Sequence, residues 1–350
     1  MKVEDVFNEY VILTKRGRRL DRTGLPIPVT DACDRYLGRA LSALNSVSQK
    51  LPKVPFVYAD FVTNPAFNAF AFKYKDRYFI AIHDGLPVVL VMVIYRMLAD
   101  RRLFRQIGDP DAETDNLPLI TTLSPNAGSL VAGASSANVP KTSRRHIYAI
   151  HLCNLVFDFL TSHEIAHIAN GHVDYIKSER GIPYLDEVEW IADTPEGNLE
   201  FQSLELDADS TAARVLVNTV KSLVEGLSQS KLAVAAFYQD AAGAMFDVAA
   251  AVSIMFRLFQ DSRMNGVDLA RKRHPPMRWR QMQILNMMAN YVDQFWDATL
   301  SESVSAAVSK AIADLEEAFE LVTGTEQQVL GLHDAWHGAG WDYAATVTEC

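Results

Sequence analysis

The segment from Leu152 to Ala169 (LCNLVFDFLTSHEIAHIA) reads as a helix that is apolar almost all round. Such a helix cannot lie on a surface and has to be enclosed by other elements on every side. The chain must therefore fold around it and answer the polar groups it carries, chiefly His163, Glu164 and His167. Gly171 supplies its natural stop. Residues i and i+4 share a helix face, so the imidazoles of His163 and His167 can be directed at one point. That spacing suits two neutral imidazole ligands of a zinc ion. Glu164, one residue on, sits beside such an ion, where a carboxylate can act as general base on metal-bound water. With nine histidines in 350 residues, a chance HExxH is expected roughly 0.01 times.

A third histidine in the HExxHxxGxxH pattern would fall at position 173, which is Val173; Gly171 and His172 are both out of phase. The alternative is a glutamate on a later helix, followed four residues on by an aspartate that orients a ligand histidine. Leu204-Glu205-Leu206-Asp207-Ala208-Asp209 fits it, in a run with helical propensity. Glu205 would be the third ligand, and Asp209 would accept a hydrogen bond from the non-ligating nitrogen of His163. Asp207 reads as solvated helix surface. Downstream, Pro275 and Pro276 suit a helix start and place His274 just before it. There a histidine can donate a hydrogen bond to the oxyanion of a tetrahedral intermediate, and Arg280, one to two turns on, can order the same site. His151 reads as a core histidine, His172 as a surface or orienting residue, and Cys153 as a small buried hydrophobe.

Along the chain, a basic cluster (Lys15, Arg16, Arg18, Arg19) precedes a helix starting at Asp31. Phe56–Phe61, Asn68–Tyr74 and Tyr78–Ile82 are aromatic and β-branched and read as strands, the last two joined by a Lys75-Asp76-Arg77 turn. Leu86–Arg102 reads as a buried helix. Gly108–Pro140 has no periodicity; loops this long are usually functional or disordered, and a lid is one use for it. Helices follow at Ile147–Asn170, Glu200–Leu216, Lys231–Gln260, Pro275–Phe295 and Glu302–Leu321. The class is α+β: a small N-terminal sheet and a mostly helical body.

Hydrophobic residues make up 49% of the chain and charged residues 22%, which excludes a disordered or fibrous protein. A net charge of −10 argues against nucleic-acid binding. Leu86–Tyr95 is too short to span a bilayer, and Asn116–Pro140 has a loop composition, so no transmembrane segment is expected. The acidic start MKVEDVFNEY is unlike a signal peptide. Three distant cysteines (Cys33, Cys153, Cys350) offer no disulfide framework, which points to a reducing, cytoplasmic setting.

The combination HEIAHIANGH, ELDAD and HPPMRWR resembles the gluzincin metallopeptidases of the HtpX and CaaX-prenyl-peptidase family. That family carries HExxH…GH, E-x-x-A-D and HPP with an arginine six residues after the histidine. Asn68-Ala69-Phe70-Ala71 and Ile80-Ala81-Ile82-His83-Asp84-Gly85-Leu86 are similar to two strands that precede the family's metal helix. In size and in the HEIAHIANGH segment the chain is also similar to the soluble Lit-type phage-exclusion peptidases. The resemblance covers about residues 56–285. It implies a zincin-like domain over 54–285 with an inserted loop at 100–145, between an N-terminal helical extension (1–53) and a C-terminal one (286–350). It further implies a zinc endopeptidase with one Zn2+ per chain, a protein or peptide as substrate, and Asn68–Ala71 as an edge strand that lines up the substrate. The other functional class is a non-enzymatic helical interaction scaffold in which the zinc is structural.

Overall fold

The computed structural model describes residues 2–23, 27–50, 56–120, 138–181, 184–186, 195–227, 240–259 and 277–323. Helices α1 (Val3–Leu13) and α2 (Ile27–Lys50) lead into strands β1 (Val57–Val62), β2 (Ala69–Tyr74) and β3 (Arg77–His83). Helix α3 (Gly85–Leu98) follows directly, then α4 (Ser143–Ala169) and α5 (His172–Arg180), a short strand β4 (Tyr184–Asp186), and α6 (Pro195–Leu227), α7 (Ala241–Phe259), α8 (Met277–Phe295) and α9 (Ser301–Thr323). The α+β reading holds: the described chain is mostly helical with one small sheet.

The sheet has the order β1-β3-β2-β4, with β1 parallel to β3 and the other pairs antiparallel. Lys75 and Asp76 both take positive φ, 49° and 56°, the backbone a two-residue hairpin needs to match strand twist. The strands are apolar nearly throughout because both faces of the sheet are covered. Phe70, Phe72, Phe79 and Ala81 face α1, where Tyr10 stacks on Phe72 with ring centroids 4.1 Å apart. Ala69, Ala71, Tyr78, Ile80 and Ile82 face the helical body. Gly85 turns the chain from β3 into α3; a Cβ there would lie 2.0 Å from the carbonyl oxygen of Pro65, so only glycine fits.

Helix α4 is the axis of the body, packed by α2, α3, α6 and α7. It is buried on all sides, as its sequence requires. Helix α2 begins at Ile27, ahead of Asp31, with Pro28 in its first turn, where the missing N–H costs no helical bond. Helices α2 and α9, from the N- and C-terminal stretches expected as extensions, share the main core. Cys33, Tyr36, Ala40 and Leu44 of α2 enter it from one side, and seven residues of α9 from Val304 to Val322 enter it from the other. Helix α7 lies within the helix expected at Lys231–Gln260. Its 19 residues have a mean hydropathy of 1.6, long and apolar enough to cross a bilayer, but 72% of that stretch is buried inside the protein.

The described parts of the 100–145 segment wrap the N-terminal end of α4. Arg145, fully buried, donates to the carbonyls of Leu98, Asp100, Leu103, Phe104 and Ile107 at 2.7–3.1 Å. Arg145 lies 18 residues before His163 on one helix, about 27 Å along its axis. These parts are therefore far from the HExxH turn, while residues 121–137 fall outside the described chain.

Candidate metal centre

His163 and His167 lie one turn apart near the end of α4, and α6 runs alongside with Glu205 and Asp209 one turn apart on the facing side. The Nε2 atoms of the two histidines are 2.8 Å apart. Glu205 Oε2 is 3.4 Å from His163 Nε2, and Oε1 is 3.5 Å from His167 Nε2. All three side chains are about 1% exposed. In a tetrahedral zinc site with bonds of about 2.05 Å, ligand atoms stand roughly 3.3 Å from one another. The two carboxylate distances meet that spacing and the imidazole pair is somewhat tighter, so the three donors fit one ion. Two histidines and a glutamate are also a donor set of catalytic zinc sites.

Behind the donors, His163 Nδ1 lies 2.9 Å from Asp209 Oδ1. A carboxylate can only accept, so a hydrogen bond formed across this contact would put the proton on Nδ1 and leave the Nε2 lone pair toward Glu205. Arg280, at the end of the first turn of α8, grips both Asp209 oxygens at 2.7 and 2.8 Å and stands 3.3 Å from Glu205 Oε2. Phe256 of α7 lies under its guanidinium at 5.2 Å. Glu164 is on the same turn of α4 and 1% exposed. Of the residues singled out from sequence, His163, His167, Glu205, Asp209 and Arg280 thus come together, with Glu164 next to His163 in the chain; His274 falls outside the described residues.

Asn68–Ala71 is placed differently. Strand β2 is an inner strand, since β4 pairs along its outer side at Phe70–Phe72. The open edge expected there is therefore occupied by the chain itself, leaving only Asn68 and Ala69 beyond the paired stretch. A three-residue strand carries too little periodicity to be read from sequence. Arg16, from the basic cluster, covers this corner with its guanidinium over the rings of Phe70 (4.7 Å) and Tyr184 (4.0 Å).

Two further residues are at the site, and sequence reasoning gave them lesser roles. His172 is 5% exposed, and its Nδ1 lies 3.0 Å from His167 Nδ1. Its Nε2 lies 3.0 Å from Asp207 Oδ2, which also accepts from Asn170 Nδ2 at 2.6 Å. The His172 ring, with help from Asn170, holds the Asp207 carboxyl below its ordinary range. His151 is a core residue far along α4, near Asp247 and Tyr148. Burial pushes the thiols of Cys33 and Cys153 up, to about 11 and about 12, so neither is a thiolate near neutral pH.

Comparison with known protein families, curated proteins and solved structures returns no match. The functional reading rests on the residues themselves.

Proposed function

We propose that the chain is a zinc-dependent endopeptidase with zincin-like architecture, one Zn2+ being held by His163, His167 and Glu205. The observation that carries this is the convergence of donor atoms from one turn of α4 and from α6, all within 4.8 Å of one another and all buried. The cluster counts three protein donors among the described residues. Catalytic zinc sites use three and keep a position for water, whereas structural sites close with four. That count favours a hydrolase over a scaffold with structural zinc. The resemblance to the HtpX and CaaX-prenyl-peptidase gluzincins points the same way.

Zinc, when bound, supplies Lewis acidity and brings the pKa of its water to about 7. Glu164 takes the proton of the attacking water and passes it to the leaving amine nitrogen. Asp209 fixes the ring of His163 and its tautomer, and Arg280 fixes Asp209. His274 remains, on sequence grounds, the donor to the oxyanion. A protein or peptide substrate and a cytoplasmic location belong to the same proposal, the latter supported by the free, buried Cys33 and Cys153.

The test compares wild type with Glu164→Ala. Both are expected to bind one zinc per chain, with the variant cleaving a peptide library at least about a hundredfold more slowly, the low end for a general base. Equal rates would remove the mechanism. Zinc binding without cleavage by either protein, with chelation lowering Tm, would favour the scaffold.

A further inference from the structure

Helix α4 ends at Ala169, and Gly171 takes φ +82°, a left-handed conformation that suits glycine and turns the chain sharply into α5. His172 is the first residue after that turn, and it comes back against His167. Resting on the zinc reading, we propose that His172 and Asp207 are positioning residues of the metal centre, which set the tautomer of His167 as Asp209 sets that of His163.

The proton positions follow from the partners along the chain of contacts. Asp207 Oδ2 can only accept, so His172 Nε2, 3.0 Å away, carries a proton. With that proton at Nε2, the Nδ1 of His172 is the acceptor, and His167 Nδ1, 3.0 Å off, donates to it. His167 is left with its lone pair at Nε2, the atom that faces His163 Nε2 and Glu205. Both ligand rings are thereby tied to α6, His163 directly and His167 through a third ring.

The intervening ring has a geometric reason. Asp207 and Asp209 are two residues apart, so they cannot face the same way on a helix. Asp209 points into the core at 0% exposure, while the Asp207 side chain is 56% exposed at the margin. His172 spans from that margin to His167, and Asn170 steadies its far end by also bonding Asp207.

The test measures zinc Kd by competition with a chromophoric chelator, the visible spectrum of the Co2+ form, and the Tm of the metal-free protein. His172→Phe keeps the ring but cannot accept from His167. It is expected to weaken zinc binding about ten- to a hundredfold, the usual cost of losing a partner behind a metal ligand, and to alter the Co2+ spectrum. His172→Gln, with a carbonyl to accept and an N–H to donate, is expected to recover most of the affinity. Asp207→Ala removes an exposed group and leaves the core intact; it is expected to weaken binding by an intermediate factor at an unchanged metal-free Tm. Wild-type affinity in both His172→Phe and Asp207→Ala would overturn the inference with the metal centre intact. Tighter binding by His172→Phe would overturn it too, since His172 would then be the donor to His167. A wild type that takes up no zinc would overturn the metal reading itself, and this inference with it.

Discussion

Arg280 meets both oxygens of Asp209 from a position 71 residues away in the chain, and all of this happens at 0–1% exposure. Removing one member of a buried charged pair leaves the other uncompensated, at a cost of about 3–5 kcal/mol. Arg280→Met is expected to destabilise the metal-free protein by that order in urea unfolding. Arg280→Lys is expected to restore only part, because an ammonium cannot fork across two oxygens. No loss in the Met variant would mean that Asp209 is held by something else. The Glu205/Asp209 pair was legible because i, i+4 spacing is a local property. Asp207 was not: alone it is one more acidic residue on a helix surface, and its use depends on His172 arriving across the Gly171 turn.

At the scale of elements, the Gly171 turn and the collar around Arg145 can each be tested. A Cβ at Gly171 would meet nothing within 4 Å, so Gly171→Ala carries only the strain of positive φ, about 1–2 kcal/mol. Thermal unfolding should show a loss of a few degrees, and zinc affinity should fall less than in His172→Phe. Arg145→Ala would take a donor from five inward-facing carbonyls, of which those of Asp100 and Phe104 keep the backbone N–H groups of Leu103 and Ile107; at about 1–3 kcal/mol for each carbonyl left unpaired, a drop of at least about 3 kcal/mol is expected, and stability within 1 kcal/mol of wild type would refute the collar.

Acid sensitivity belongs to the same collar. Burial pushes the Asp100 carboxyl up, but hydrogen bonds from Arg102 and Arg96 outweigh this and bring it down to about 2. A depressed carboxylate stabilises fully above its unfolded value of about 4, and that contribution is lost as pH falls toward 2. Unfolding free energy should therefore drop between pH 5 and pH 3, and Asp100→Asn should flatten that drop. An equal pH dependence in the variant would move the effect to other carboxyls.

Over the whole molecule, α2 and α9 are structural parts of one core. Helix α9 supplies Val304, Val308, Leu315, Phe319 and Val322, all at most 7% exposed, and packs chiefly on α7. At about 1.5–3 kcal/mol for each large apolar side chain, their loss rivals the roughly 5–15 kcal/mol that holds a domain together. A chain ended at Leu300 is expected to lose cooperative unfolding and zinc binding together. If it keeps both, residues beyond 300 form a separable unit. Sequence spacing located these helices well, yet it could not tell an appendage from a core element, because α9 has an apolar stripe in either case.

What the sequence determined by itself was whatever is carried by local period and spacing. That covers the enclosed HExxH helix, the His163/His167 and Glu205/Asp209 faces, the β2–β3 hairpin with its Lys75-Asp76 turn, and the α+β order of elements. Tertiary structure alone decided which groups meet across long separations: Arg280 on Asp209, His172 between His167 and Asp207, Arg145 inside its carbonyl collar, and β4 along the outer side of β2. Such contacts leave no period in a sequence, because each is fixed by where two packed elements cross and not by the spacing within either one.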